Sequence, residues 1–338
     1  LAELTTPAFA GPLVCLAAVE SAILPAMCDE AVEIIPCPAA MVGEALTLVL
    51  HEIAPEHREV VAPQLSREQS AQGRTIDGLW VACHDRRLVA ATWAQQQPGN
   101  TAILWPPQSL TRVDRGLARQ LCEYAVASLD LAGVDMAQVV LPDRQAAVIP
   151  DLNSVGFGYL ADLLYLKWEV SGHDDSSTEY LSSEPSGPLH FEPYDEALRE
   201  RTTRIVERTY EGTQDCPAMN GKRQMIDVID GYQATGVFRP NLWSIVCAGG
   251  EDVGVLLLTE HPAARHLELI YMGLVPEARG RGWGGLISQQ AQRISVRAGV
   301  DRLVLAVDAV NEPALAMYRE VGFRGWDQRS VFVRSRQA

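Results

Sequence analysis

Lysine is almost missing from the 338-residue sequence: Lys167 and Lys222 are the only two among 28 basic residues, against 43 acidic ones. The formal net charge of −15 excludes a nucleic-acid binder, because neutralising phosphates requires a basic face. Cys-x-x-Cys pairs are absent. The seven cysteines (15, 28, 37, 83, 122, 216, 247) are scattered and odd in number, so neither a disulfide framework nor a zinc site is signalled, and a reducing cytoplasm is the expected compartment. No His-Glu-x-x-His spacing occurs, and no metal is expected. A membrane-spanning run is also lacking: residues 11–27 are the most signal-like stretch, yet they have no basic leader, carry Glu20 and are too short to span a bilayer.

What is present is ordinary globular composition, 47% hydrophobic and 21% charged. The length sets a soft expectation of two domains at about 150 residues each. Self-similarity refines it. Val-Gly-Phe occurs at 155–157 and again at 321–323, and the same offset of 166 places Gly116 on Gly282 and Ala118 on Gly284. Leu79-Trp80 and Leu242-Trp243 open apolar runs at an offset of 163. These matches, in one order, indicate a duplicated domain. The expected layout is an N-terminal segment 1–30 without a readable role, a first copy at 31–170, a linker at 171–187 rich in Ser, Asp, Gly and Pro, and a second copy at 188–338.

In the second copy, residues 188–194 read as a short strand, and 195–210 and 219–232 as helices. Three apolar runs at 242–248, 253–259 and 266–275 read as an antiparallel meander. A helix is predicted from Gly282 to Ala298 with Gly299 as its C-cap, then a buried strand at 303–307, a helix capped by Asn311 with Pro313 in its first turn, and a closing strand at 330–333. The order is β-α-α-β-β-β-α-β-α-β. The fold class is α/β (α+β), each copy a mostly antiparallel mixed sheet flanked by helices.

Between the meander and the next helix lies Pro276-Glu277-Ala278-Arg279-Gly280-Arg281-Gly282-Trp283-Gly284-Gly285. Four glycines in six residues let backbone approach a ligand, and a helix N-terminus behind them favours a phosphate or pyrophosphate. Arg279 and Arg281 add positive charge. Gly280-x-Gly282-x-x-Gly285 formally matches a dinucleotide fingerprint, with Asp308 as a ribose partner. Against that, the loop follows a meander rather than opening a βαβ unit, and too little chain remains for a parallel sheet.

Arg279-x-x-Gly282-x-Gly284, followed by Asn311-Glu-Pro-Ala-Leu-Ala-Met-Tyr318-Arg-Glu-Val-Gly-Phe323, resembles the GNAT acyltransferases, and the tandem layout is similar to that of mycothiol synthases. The resemblance covers 188–338, and 31–170 through the repeat only. It implies that Arg279, Gly280, Arg281, Gly282, Trp283, Gly284 and Gly285 hold the pyrophosphate of acetyl-CoA, with Asn311 on the far wall. It implies that the N–H of Met272 meets the thioester oxygen, that Leu274 pairs the pantetheine amides, and that Tyr318 is the general acid. Glu268, eleven residues before Arg279, matches the catalytic glutamate of the family's histone acetyltransferases. A base is useful because a lysine-like amine, pKa about 10.4, is protonated at neutral pH.

Plainer readings stand beside these. Alternation alone can turn Glu268 to solvent, and Glu260 is a second candidate base. Tyr318 reads equally as a core residue, and Asn311 as an N-cap. Gly273 suggests a β-bulge. Glu211 and Asp215, in the connection between the first two helices, suit a cationic amine or simply solvation. At the repeat offset Arg279 becomes Val113, Gly280 Asp114, Gly284 Ala118 and Tyr318 Leu152, so the first copy is expected to be degenerate and structural. The expected function is acetyl transfer from acetyl-CoA to a small-molecule or peptide primary amine. The alternatives are a non-catalytic acyl-CoA-binding or sensing protein and a dinucleotide enzyme. The acceptor and the oligomeric state are not indicated.

Overall fold

The computed structural model describes residues 32–50, 76–110, 115–142, 147–170, 187–219 and 221–336. The expected N-terminal segment, residues 171–186 of the expected linker, and Val113 and Asp114 lie outside these. The described chain forms two compact units. One holds the residues up to Val139, those from 147 to Gly158, and the chain end from Phe332; the other holds 140–142 and Tyr159–Val331.

The first unit contains β1 (Glu33–Pro36), α1 (Val42–Val49), β2 (Leu79–His84), β3 (Arg87–Gln97), β4 (Thr101–Ser109), α2 (Arg115–Leu131), most of β5 (Met136–Pro142) and α3 (Ile149–Ser154). Strands β1 to β4 pair antiparallel in order. β4 and β5 pair in parallel for three rungs, Thr101↔Met136 to Ile103↔Gln138. Gly116 and Ala118 lie in α2, and Leu152 is fully buried in α3.

The second unit contains β6 (Gly158–Glu169) but for its first residue, β7 (His190–Pro193), α4 (Arg199–Tyr210), α5 (Met225–Ala234), β8 (Trp243–Ala248), β9 (Glu251–His261), β10 (His266–Leu274), α6 (Trp283–Ala298), β11 (Arg302–Asp308), α7 (Glu312–Glu320) and most of β12 (Arg324–Ser335). The strand order is β12-β6-β11-β10-β9-β8-β7. This is the expected mixed α/β architecture, a mostly antiparallel sheet flanked by helices. β10 and β11 pair in parallel, again for three rungs, His266↔Arg302 to Glu268↔Val304, whereas β11 with β6, β10 with β9, β9 with β8 and β8 with β7 pair antiparallel. His266 stands 165 residues from Thr101 and Arg302 stands 166 from Met136, so the repeat read in the sequence reappears in the hydrogen-bond ladder.

The local signals fold as their chemistry requires. Asp195 caps the turn before α4 by accepting the Ala197 N–H at 2.7 Å. Gly299 ends α6 at φ 65°, in the left-handed region glycine occupies without penalty. Trp243, Leu257, Leu267, Ile287 and Leu303 are fully buried in the core of this unit.

Strand exchange was not anticipated. β6, which a boundary at 170 assigns to the first copy, pairs antiparallel with β11 from Arg302↔Glu169 to Asp308↔Leu163, and its Leu166 and Trp168 join the second unit's core. At the chain end, Arg334 donates to both carboxylate oxygens of Asp130 at 2.8 Å, and the Arg336 N–H reaches the Asp135 carbonyl at 2.8 Å within the first unit. An alternating strand states which face is buried, and not which neighbour it joins. Among the described residues no helix is long and apolar enough to cross a membrane.

Candidate active site

The parallel ladder between β10 and β11 ends at Glu268↔Val304, and the strands then part. A cleft of about 460 Å³ opens there, between residues 269–274 of β10 and Ala306 and Val307 of β11. Thr209 and residues 212–215 form one flank; Asn311, Met317 and Tyr318 form the other; Arg279, Gly280, Gly282 and Gly284 close one end. Its size suits a cofactor-scale ligand.

The open strand edge carries the recognition groups. The Val275 N–H donates to the Val253 carbonyl on β9 at 3.0 Å. Alternation along the strand then turns the N–H groups of Leu274 and Met272 to the opposite edge, where β11 has diverged. Both residues line the cleft.

The bulge lies elsewhere than expected. It falls between Leu269 and Tyr271, not at Gly273. Gly273 is needed for a different reason: a Cβ there would lie 2.7 Å from Thr209 Cβ and Oγ1 and 2.9 Å from the Tyr271 hydroxyl. Glycine lets α4 settle on the strand, where the Thr209 and Tyr271 hydroxyls meet at 2.6 Å.

At the loop, Gly280 and Gly282 take φ 73° and 74°, and a Cβ at either would meet no atom within 4 Å. Gly282 is the N-cap of α6 and has no side chain to bond the first-turn N–H groups. Backbone, open space and dipole together fit a phosphate. Arg279 lines the cleft, and its guanidinium is engaged by backbone carbonyls. Its Nε donates to the Leu274 carbonyl at 3.0 Å, its Nη2 to Thr209 at 2.9 Å and its Nη1 to Gly212 at 3.1 Å. The guanidinium thus braces the C-terminal end of α4 against the loop. Arg281 lies over the Trp283 ring at 5.0 Å and donates to the Glu277 carbonyl, outside the cleft lining, as is Gly285.

Tyr318 is 6% exposed, stacks edge-on against Phe323 and lines the cleft. Burial pushes its phenol well above the ordinary range, with Asp215 adding to the shift. Asn311 caps α7 through the Ala314 N–H at 3.3 Å while also lining the cleft, so the cap and the wall are one residue. Asp215 accepts the Asp308 N–H at 3.2 Å; burial raises its carboxyl above the usual range, and this hydrogen bond opposes the rise. Asp308 accepts the N–H groups of Cys216 and Val310 and is 4% exposed, which ties it to these loops rather than to a ribose.

Three acidic candidates are not brought into the cleft. Glu211 is exposed at the end of α4, and Glu260 is ion-paired with Arg239. Glu268 is 7% exposed, which overturns a solvent-facing orientation. It sits on the last rung before the strands part, its Oε2 2.8 Å from His261 Nε2. Sequence reasoning missed His261. Its signal was the pair of histidines, 261 and 266, flanking a short turn between antiparallel strands, which places them opposite each other.

A family model described as the acetyltransferase (GNAT) family matches residues 206–323, the stretch holding the splayed strands, the loop and Tyr318. Residues 206–323 are thus similar to a GNAT-family acetyltransferase domain. Mycothiol acetyltransferase from Jonesia denitrificans is 33% identical over 99 residues, 28% of this chain and 32% of that protein. The one from Corynebacterium aurimucosum is 38% identical over 69 residues, 20% of this chain and 22% of its own length. The matched part therefore spans a third or less of these relatives. Two solved structures share the fold over most of this chain. A GCN5-related N-acetyltransferase from Sphaerobacter thermophilus has a TM-score of 0.61 at 14% identity, over 90% of this chain and 95% of its own. A tandem GNAT protein from the clavulanic acid biosynthesis pathway has a TM-score of 0.55 at 13% identity, over 90% and 98%.

Proposed function

We propose that the second unit transfers an acetyl group from acetyl-CoA to a primary amine, and that the first unit is a degenerate, structural copy. The supporting observation is a single cleft in which a splayed strand edge, a glycine loop at a helix N-terminus and the Tyr318 phenol converge. Gly280, Gly282, Gly284 and the first turn of α6 hold the pyrophosphate, and Leu274 pairs the pantetheine. Bound acetyl-CoA supplies the thioester that the amine attacks. The Met272 N–H stabilises the charge that develops on the carbonyl oxygen. Tyr318, kept protonated by its burial, gives its proton to the departing thiolate. Glu268, at the apex of the splay, accepts the amine proton through a water.

One observation favours a second reading, a binding or sensing module: the Glu268 carboxylate is engaged by His261 and lies outside the cleft lining. Thiol release from acetyl-CoA across a panel of primary amines, including the acceptor of the mycothiol acetyltransferases, separates the two. Amine-dependent release supports catalysis. Tight acetyl-CoA binding without release with any amine supports the sensor. Calorimetry showing binding of NAD but not acetyl-CoA would overturn both.

A further inference from the structure

Glu268 ends the parallel ladder, and a buried carboxylate is costly unless a donor meets it. His261, on the neighbouring strand, meets it at 2.8 Å, with side-chain exposures of 4% for His261 and 10% for Glu268. The register pairs Glu268 with Thr259 and His266 with His261, so the four side chains share one face of the sheet. The imidazole has little room to turn. A Cβ at Gly236, just beyond α5, would stand 2.9 Å from His261 Cε1, and the His266 ring packs 4.7 Å away.

We infer that His261 is a positioning residue for the reaction, orienting the Glu268 carboxylate at the apex of the splay. The inference rests on the acetyltransferase reading above. A clamped ring nitrogen aims one oxygen of Glu268 and favours its charged form, the form that accepts a proton. The charged and titratable groups around the pair come from each neighbouring strand. His266 on β10 is held neutral, its pKa lowered to about 4 chiefly by burial and then by His261. Arg302 on β11 acts on His266. Tyr165 on β6 is buried and protonated, in the field of Glu268 and of Arg329 and Asp327 from β12.

The test uses the full chain. His261→Leu removes the donor, His261→Asn keeps polarity but is too short to reach Oε2, and His261→Gln restores a neutral amide donor. The first two are expected to lower kcat about 10- to 100-fold, as misplacement of a reacting group does, with KM for acetyl-CoA unchanged. The acid limb of kcat/KM should move to higher pH, because the charged form of Glu268 has lost a hydrogen bond. Gln should recover most of kcat and return the limb. A folded Leu or Asn variant with the wild-type kcat and pH profile overturns the inference, and so does a Glu268→Gln enzyme with full kcat. If Leu fails to fold, Asn and Gln decide the matter between them. Wild-type protein that releases no thiol with any amine removes the acetyltransferase reading, and this inference with it. An active wild type indifferent to His261 removes only the inference.

Discussion

Replacing Arg279 by Met keeps the aliphatic stem and removes the guanidinium, which distinguishes a brace from a phosphate ligand. Three backbone carbonyls, of Leu274, Thr209 and Gly212, lose charged donors that now stand at 2.9–3.1 Å. A hydrogen bond to a charged group contributes about 1.5–3 kcal/mol. The Gly212 contact is exposed and its carbonyl rehydrates freely, so the loss comes chiefly from the other two and amounts to about 3 kcal/mol. For a unit of this size that lowers Tm by about 6–12 °C. Arg279→Lys should recover little, since one ammonium cannot fork to three carbonyls. Thermal unfolding with and without acetyl-CoA, together with calorimetry, is the assay. The expected result is a large fall in Tm with coenzyme affinity reduced only modestly. An unchanged Tm with affinity lost 100-fold would refute the brace and make Arg279 a phosphate ligand.

Further outcomes follow from the same geometry. Gly282→Glu forces a side chain into a left-handed position, at a cost of about 1–2 kcal/mol, and fills the open space above the loop; calorimetry should show no acetyl-CoA binding, and an unchanged Kd would mean the loop is not the phosphate site. Gly273→Ala should destabilise by about 1–3 kcal/mol through its clash with Thr209, read from the urea midpoint; an unmoved midpoint contradicts the close packing. Burial raises the phenols of Tyr210, Tyr232, Tyr271 and Tyr318. A group raised in the folded state contributes its full stability below its unfolded pKa of about 10 and loses it as the pH climbs beyond, by up to about 1.4 kcal/mol per pH unit for each phenol. Urea midpoints should therefore fall steeply above pH about 10, whereas phenolate absorbance equivalent to all nine tyrosines appearing in the folded protein near that pH would refute the burial argument.

How far the sequence reached is clearest at particular residues. The Asn311 cap, the Gly299 stop and the glycine loop before α6 were readable because each is decided by the backbone within a few residues. The order of elements in the second copy was readable too, since hydrophobic periodicity reports which face is buried. Gly273 was noticed for the wrong reason: a glycine in a strand marks either a bulge or a close approach, and only Thr209, sixty-four residues earlier in the chain, distinguishes them.

The sequence by itself determined that an internal repeat at an offset of 166 runs through the chain, that a glycine-rich loop stands between a strand and a helix in its second half, and that Tyr318 follows at the spacing that resembles a GNAT domain. Only the tertiary structure decided that β6 pairs with β11, that Arg279 is spent on carbonyls and that Glu268 is held by His261. Local signals act within a turn or two of backbone. Strand partners and the occupancy of a charged side chain depend on groups far away in the chain, and those meet only once the sheet has closed.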